Sequence, residues 1–171
     1  IAFDEEAYSL GVIDGYESYE TAVASKPAEP LPDRVAGTDM LYSSGTTGRP
    51  KGILRPLPEN PPSEPMPLFH FLNKLWRYRD GMTYLSPAPL YHSAPQAAVN
   101  LTLRSGGTAV IMERFDPEQF LALVERHRVS HSQLVPTMFS RMLKLPAEDR
   151  SRYDLSSLEV VTHAAAPCPI P

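Results

Sequence analysis

The sequence predicts an α/β fold, a mainly parallel sheet with helices on both faces. Three observations carry that reading. Between residues 83 and 163, short apolar runs alternate with longer segments of helical period, three times over, through short links. Asp116-Pro117-Glu118 is a helix start: an acid as N-cap, proline at the first helical position, then a further acid. Gly106-Gly107 stops one helical segment just before the β-branched run Thr108-Ala109-Val110-Ile111-Met112.

Taken in order, residues 1–24 read as helical in part. Asp4-Glu5-Glu6 would start a first turn, where acids favour the helix dipole, and residues 19–24 would form a short helix. Pro27, Pro30, Pro32 and Gly37 make residues 25–38 a connector. Residues 40–43 are a strand. Residues 55–67 hold six prolines in thirteen positions, which excludes a helix or a central strand. They predict an extended surface excursion, either a stiff insertion between two core elements or a proline-rich recognition site. Residues 68–78 read as an amphipathic helix, with Leu68, Phe71, Leu72, Leu75 and Trp76 near helical spacing. A strand at 83–86 ends at Pro87 and Pro89. A helix at 94–103 and a strand at 108–112 follow. The helix from Pro117 would bury Phe120, Leu121, Leu123 and Val124 and end near Arg126-His127-Arg128, cations suited to a C-terminus. A strand at 129–135, a helix at 136–145 striped with Met138, Phe139, Met142 and Leu143, and a strand at 158–162 complete the series.

Residues 43–52 read Ser-Ser-Gly-Thr-Thr-Gly-Arg-Pro-Lys-Gly: four hydroxyls, three glycines and two cations in ten positions. Glycines let successive backbone N–H groups turn toward one point, and such N–H groups form an anion-binding concavity. Hydroxyls add donors, and Lys51 adds a point charge. The run reads as a polyphosphate cradle. It is not the ordinary P-loop: Pro50 stands where that motif has glycine, and Gly52 where it has the Mg2+-binding hydroxyl. Pro50 pushes Arg49 toward an extended backbone, Ile53 is β-branched and Pro56 follows soon after. The expected local structure is therefore strand–loop–strand, without a helix dipole behind the phosphates.

Composition sets bounds. A net charge of −4 and a pI near 5.7 argue against a nucleic-acid surface, so the cations that meet an anion must be local, as at Arg49 and Lys51. The one cysteine, Cys168, allows neither an internal disulfide nor a cysteine metal cluster and is not expected to be a nucleophile. It suits a reducing compartment, and a cytoplasmic location is the expectation. No apolar stretch approaches the ~18 to 20 residues of a membrane span. The chain starts at Ile1 and stops at Pro171 directly after an apolar run, and it reads as a piece of a longer protein. His70, His127 and His131 read as surface or structural.

In open parallel sheets ligands bind outside the C-terminal ends of strands. Three segments qualify: 89–95 with His92, 135–137 (Val-Pro-Thr), and 163–167 (His-Ala-Ala-Ala-Pro).

These segments and the loop together carry a family resemblance. Residues 43–52 match, at every fixed position, the signature Thr/Ser-Ser-Gly-Thr-Thr-Gly-x-Pro-Lys-Gly of the adenylate-forming superfamily: acyl-CoA synthetases, luciferases and the adenylation domains of peptide synthetases. Pro89-Leu90-Tyr91-His92 resembles the second motif of that superfamily, although Ser93-Ala94-Pro95 stands where glycine often follows. Val135-Pro136-Thr137 resembles its Val-Pro-Thr before a helix, and residues 163–167 its Gly/Ala-Ala-Pro loop beside the adenine. Residues 107–143 look like the bacterial fatty-acyl-CoA synthetase branch.

The resemblance implies an organisation and a reaction. Residues 1–36 would be an N-terminal helical and connector segment. Residues 37–171 would be part of the AMP-binding N-terminal domain, with the phosphate loop at 43–52, the excursion at 55–67 and a βαβ core at 83–163. The parent enzyme would join a carboxylic acid, on this resemblance a fatty acid, to coenzyme A through an acyl-adenylate, using ATP and Mg2+. Ser43, Ser44, Gly45, Thr46, Thr47, Gly48 and Lys51 would hold the phosphates, with Thr46 on the metal and Lys51 also catalytic. Ala164, Ala165, Ala166 and Pro167 would flank the adenine, and His92 would orient the acyl carboxylate. The superfamily's Tyr-Gly-x-Thr-Glu segment does not occur in residues 1–171, so this chain alone is expected to form no acyl-CoA. The alternatives are an adenylation domain that loads a carrier protein, and a non-catalytic nucleotide-binding module. Residues 92–105 contain no acid, which sides with a fatty or aryl acid over an amino acid.

Overall fold

The computed structural model describes residues 19–43, 49–64 and 67–167. The acidic helix start expected at residues 4–6 and Cys168 lie outside the described residues. The chain divides into two compact units, residues 4–66 and the chain from Pro67 on.

The first unit contains α1 (Tyr19–Ala24), at the expected bounds, and an antiparallel pair, β1 (Leu41–Ser43) and β2 (Lys51–Ile53). The expected strand–loop–strand is thus a β-hairpin. Among the described residues of the 55–67 excursion before Pro67, neither helix nor strand forms, as the prolines require.

The second unit runs α2 (Pro67–Leu75), β3 (Thr83–Ser86), α3 (Ser93–Arg104), β4 (Thr108–Ile111), α4 (Pro117–His127), β5 (His131–Leu134), α5 (Pro136–Leu143), α6 (Ala147–Ser151) and β6 (Val160–His163). The strands β3 to β6 form one sheet in the order β4-β3-β5-β6, every pair parallel. Side chains alternate across the pleat and so build two cores. Tyr84 and Ala109 pack with Met82, Ala98 and Val99 under α3. Leu85, Val110 and Leu134 pack with Phe120, Leu121, Val124 and Met138 under α4 and α5. Helices therefore cover both faces of the sheet.

Three helices stop in the same way. In α2, the Tyr78 N–H reaches the Asn73 carbonyl (2.9 Å) and the Arg77 N–H that of Lys74 (3.3 Å). In α3, Gly107 bonds to Thr102 (2.9 Å) and Gly106 to Leu103 (3.1 Å). In α4, Val129 bonds to Val124 (3.0 Å) and Arg128 to Glu125 (3.2 Å). These are Schellman motifs, and the residue that turns left-handed is Arg77 (φ 59°), Gly106 (φ 79°) or Arg128 (φ 49°). The motif explains why α2 ends at Leu75 rather than Tyr78: arginine at the left-handed position carries no sequence signal. Similarly, Val129 and Ser130 precede β5 because Val129 closes the α4 cap. The helix α6 had no counterpart in the sequence reading.

His131 is buried at the junction of α2 and the sheet. Its Nε2–H donates to the Trp76 carbonyl (3.0 Å), and Nδ1 faces the Ser130 hydroxyl (2.8 Å). The Thr83 N–H donates to that hydroxyl (3.2 Å), and the Thr83 carbonyl takes the Ser130 N–H (2.9 Å). The imidazole therefore works as a neutral strut between a helix end and two strands, and burial holds its pKa below the usual histidine value. The structural role expected for His131 is met by this geometry.

Candidate functional site

Parallel pairing puts the C-terminal ends of β3, β5 and β6 on one edge of the sheet, and the segments 87–92, 135–137 and 164–167 leave from it. Three helices, α3, α4 and α5, begin just beyond strands of this sheet. Their free N–H groups give the same edge a favourable potential for anions.

The first segment closes with the His92 N–H on the Pro89 carbonyl (3.2 Å). His92 is the N-cap of α3, in extended conformation (φ −83°, ψ 143°), and its carbonyl takes the Gln96 N–H (3.2 Å). Its side chain makes no cap hydrogen bond. The imidazole is exposed and lies against the Tyr91 ring, centroids 4.6 Å apart. Thus His92 is held by its backbone, and its ring remains available to a ligand. Tyr91, 83% exposed, stands beside His92 at this position.

The second segment begins at Val135, the N-cap of α5, with Pro136 at the first helical position and Thr137 exposed in the first turn. The third follows His163, which pairs in register with Leu134. The His163 ring stands edge-on to Phe139 at 6.4 Å, and the Ala164 N–H reaches the Leu134 carbonyl (3.4 Å). Ala164, Ala165, Ala166 and Pro167 are all exposed. Ala165 has φ 73°, a left-handed conformation that costs an alanine roughly 1–2 kcal/mol. Strain of this kind gathers at ligand-contacting turns. The structure thus brings His92, Thr137 and the Ala164–Ala166 run to one sheet edge.

In β3 Tyr84 is buried, and its phenol stays protonated because desolvation raises its pKa. Tyr78 is likewise pushed up to about 12. Neither is a candidate acid or base at neutral pH.

The phosphate-loop residues belong to the hairpin of the first unit. Ser43 lies opposite Lys51, Tyr42 opposite Gly52 and Leu41 opposite Ile53. Directly opposed residues in an antiparallel pair project to one face, so Ser43 and Lys51 stand side by side at the loop's two ends, both exposed. Gly52 sits under the Tyr42 ring: an added Cβ would lie 3.2 Å from Tyr42 Cε1. Ser44, Gly45, Thr46, Thr47 and Gly48 lie outside the described residues, and so does the expected metal contact at Thr46. Among the described residues, no three His, Cys, Asp or Glu side chains gather as they would to hold a metal ion. No helix of the described residues is long and apolar enough to cross a membrane.

Comparison with known proteins bears on the family and the fold. The chain is 33% identical over 135 residues to the medium/long-chain-fatty-acid–CoA ligase FadD8 of Mycobacterium tuberculosis, covering 79% of this chain and 22% of that protein. It is 38% identical over 130 residues to 4-coumarate–CoA ligase 5 of Oryza sativa subsp. japonica, covering 74% of this chain and 23% of the relative. Among solved structures, it superposes on ATP-bound MatB from Rhodopseudomonas palustris with a TM-score of 0.64 and 27% identity, over 91% of this chain and 30% of that one. The chain spans about a quarter of the length of the curated relatives it matches. With the AMP-binding enzyme family matched over residues 4–171, this chain belongs to that family, and its parallel sheet is that of the adenylate-forming N-terminal domain.

Proposed function

We propose that the parent protein is an ATP-dependent acid–thiol ligase that joins a carboxylic acid to coenzyme A. The observation that carries this reading is the complete sequence run Ser43 to Gly52, with Ser43 paired opposite Lys51 between β1 and β2, in a chain whose relatives are CoA ligases. The acid is a fatty acid in this reading, favoured by the FadD8 likeness, although the plant relative is named for 4-coumarate.

The chemistry follows from the residues. The acid's carboxylate oxygen bonds to the α-phosphorus of ATP while the bond to the β-phosphate bridge oxygen breaks, which releases pyrophosphate. The thiol sulfur then bonds to the acyl carbon, the mixed anhydride breaks, and AMP leaves. Such transfers need positioning and charge neutralisation more than covalent groups. The Lys51 ammonium and the hydroxyls from Ser43 to Thr47 hold the β- and γ-phosphates. Mg2+ neutralises phosphate charge when bound. His92, its ring free of any cap bond, orients the carboxylate. The small side chains of Ala164 to Ala166 let a flat base approach the backbone. Residues 37–171 form part of the AMP-binding domain, and the protein works in the cytoplasm.

The test uses the full-length parent protein with ATP, Mg2+ and coenzyme A against palmitate, hexanoate, 4-coumarate and benzoate. Pyrophosphate release and the thioester mass are measured. A fatty acyl-CoA as the preferred product is the expected result. Pyrophosphate release without a CoA thioester would transfer the assignment to carrier-protein loading, and no release with any acid would overturn the reading.

A further inference from the structure

The phosphate loop and sheet edge leave one sequence feature unused: Arg55-Pro56-Leu57-Pro58-Glu59-Asn60-Pro61. We propose that this stretch is a polyproline II ligand for a protein module with an aromatic-lined groove bearing a carboxylate at one end, as in SH3 domains. The proposal is independent of the ligase reading.

The backbone argument is local. Pro56, Pro58 and Pro61 fix their own φ near −65°. Each also bars the residue before it, Arg55, Leu57 or Asn60, from the α region. Only Glu59 escapes both restrictions. Six of the seven residues are therefore held in or near the polyproline II region before any partner arrives, and the ordering entropy of binding is already reduced. A polyproline II helix has three residues per turn and rises about 3.1 Å per residue. Arg55, Pro58 and Pro61 then share one edge at intervals of about 9 Å. That edge offers a cation followed by two prolines in the Pro-x-x-Pro spacing that aromatic grooves read.

The structure keeps this edge accessible. Arg55, Pro56, Leu57 and Pro61 are exposed, Leu57 at 67%, and Pro58 is half-buried. Arg55 has no ion pair among the described residues. The far end is anchored to the protein: the Asn60 carbonyl takes the Ala36 N–H (2.9 Å), Asn60 Nδ2 donates to the Glu64 carbonyl (3.1 Å), and the Glu64 N–H closes a turn on Pro61 (3.0 Å). The anchor ties the far end of the stretch to the protein. Segment 54–59 pairs with no strand, so it is free to lie in a groove.

The experiment titrates the 171-residue chain into an isolated SH3 domain that takes Arg-first Pro-x-x-Pro ligands, following the groove tryptophan's fluorescence. Saturable binding is expected. Arg55→Glu and Pro58→Ala should each weaken it at least tenfold. Pro30→Ala, outside the stretch, should bind like the wild type, and unchanged far-UV circular dichroism of all variants excludes unfolding as the cause. Added salt should weaken the wild type more than Arg55→Ala. No saturation at millimolar concentration, equal binding by Pro58→Ala, or binding by a free 53–63 peptide but not by the chain would each overturn the proposal.

Discussion

Acidification should loosen the second unit through His131. The imidazole is 1% exposed, and its two nitrogens are already committed to the Trp76 carbonyl and the Ser130 hydroxyl. A second ring proton would place a charge in the core. Desolvation is the largest opposing effect; the Trp76 carbonyl works the other way, Arg79 and Arg77 add to the opposition, and Glu159 offsets part of it. The folded pKa therefore lies below the ordinary 6.5, whereas the unfolded chain keeps that value. Between the two, the unfolded state binds a proton that the folded state refuses. Stability is then full above pH 6.5 and falls as pH drops toward the folded value, by at most about 1.4 kcal/mol per pH unit. From pH 7.5 to 5.5 this residue removes at most about 1.4 kcal/mol. The assay is urea unfolding of wild type and His131→Gln from pH 8 to 5; glutamine keeps a donor but does not titrate. Subtracting the two curves cancels the exposed histidines. A difference that stays constant over this range, or a His131 Cε1 proton resonance that titrates at or above 6.5, would refute the argument.

Other expectations follow from single contacts. At Gly107 an added Cβ would lie 2.7 Å from Met82 Cγ, 2.9 Å from the Met82 carbonyl oxygen and 2.9 Å from Thr102 Cγ2, so Gly107→Ala should cost about 1–3 kcal/mol in urea unfolding. Arg77→Gly relieves a left-handed arginine that closes α2, and a rise of about 0.5–1 kcal/mol in the same assay is expected; a loss would mean the side chain matters more than its backbone strain. Asp116 accepts the Gln119 N–H (2.9 Å) as the cap of α4, and Asp116→Ala should cost about 1 kcal/mol, read as a lower thermal midpoint. Lys51→Met should weaken ATP at least tenfold but AMP little, measured by competition with a fluorescent ATP analogue; equal weakening of both would remove Lys51 from the β- and γ-phosphates.

The second unit was legible in the sequence because its signals are local and repeat. The strand at 83–86 and the cap at Asp116-Pro117 fall where they were expected, since period and capping chemistry act over a few residues. The end of α4 near Arg126-His127-Arg128 was legible from its cations, but the left-handed arginines were not, and the end of α2 was missed with them. Arginine disfavours the left-handed region, so only the tertiary fold could place Arg77 and Arg128 there. The short helix α6 was missed because Ala147-Glu148-Asp149-Arg150-Ser151 has no apolar stripe, and the ion pair of its C-cap Arg152 with Glu118 of α4 depends on the fold. The site was legible in kind, as loops after parallel strands, but its detail was not. Nothing in Ala164-Ala165-Ala166 announces a left-handed alanine, and nothing in Tyr91-His92 announces that the rings meet.

These limits also distinguish the proposed phosphate loop from the sheet edge. At the sheet edge, helix N-termini supply fixed partial charges whatever the nearby side chains are. At the hairpin no helix follows, because Lys51 begins β2 and its neighbours are committed to the ladder with β1. In the proposed reading, attraction for phosphate there comes from amides, hydroxyls and the two cations Arg49 and Lys51. Removing one cation from a site with no helix behind it takes away a larger share of its field than the same change at a helix-backed P-loop. The sequence requirement is correspondingly dense: nine fixed positions in ten carry what a glycine-rich turn and a helix dipole share elsewhere. That density is why the run from Ser43 to Gly52 identifies its family by itself, whereas the sheet-edge motifs become informative only once the fold has gathered them.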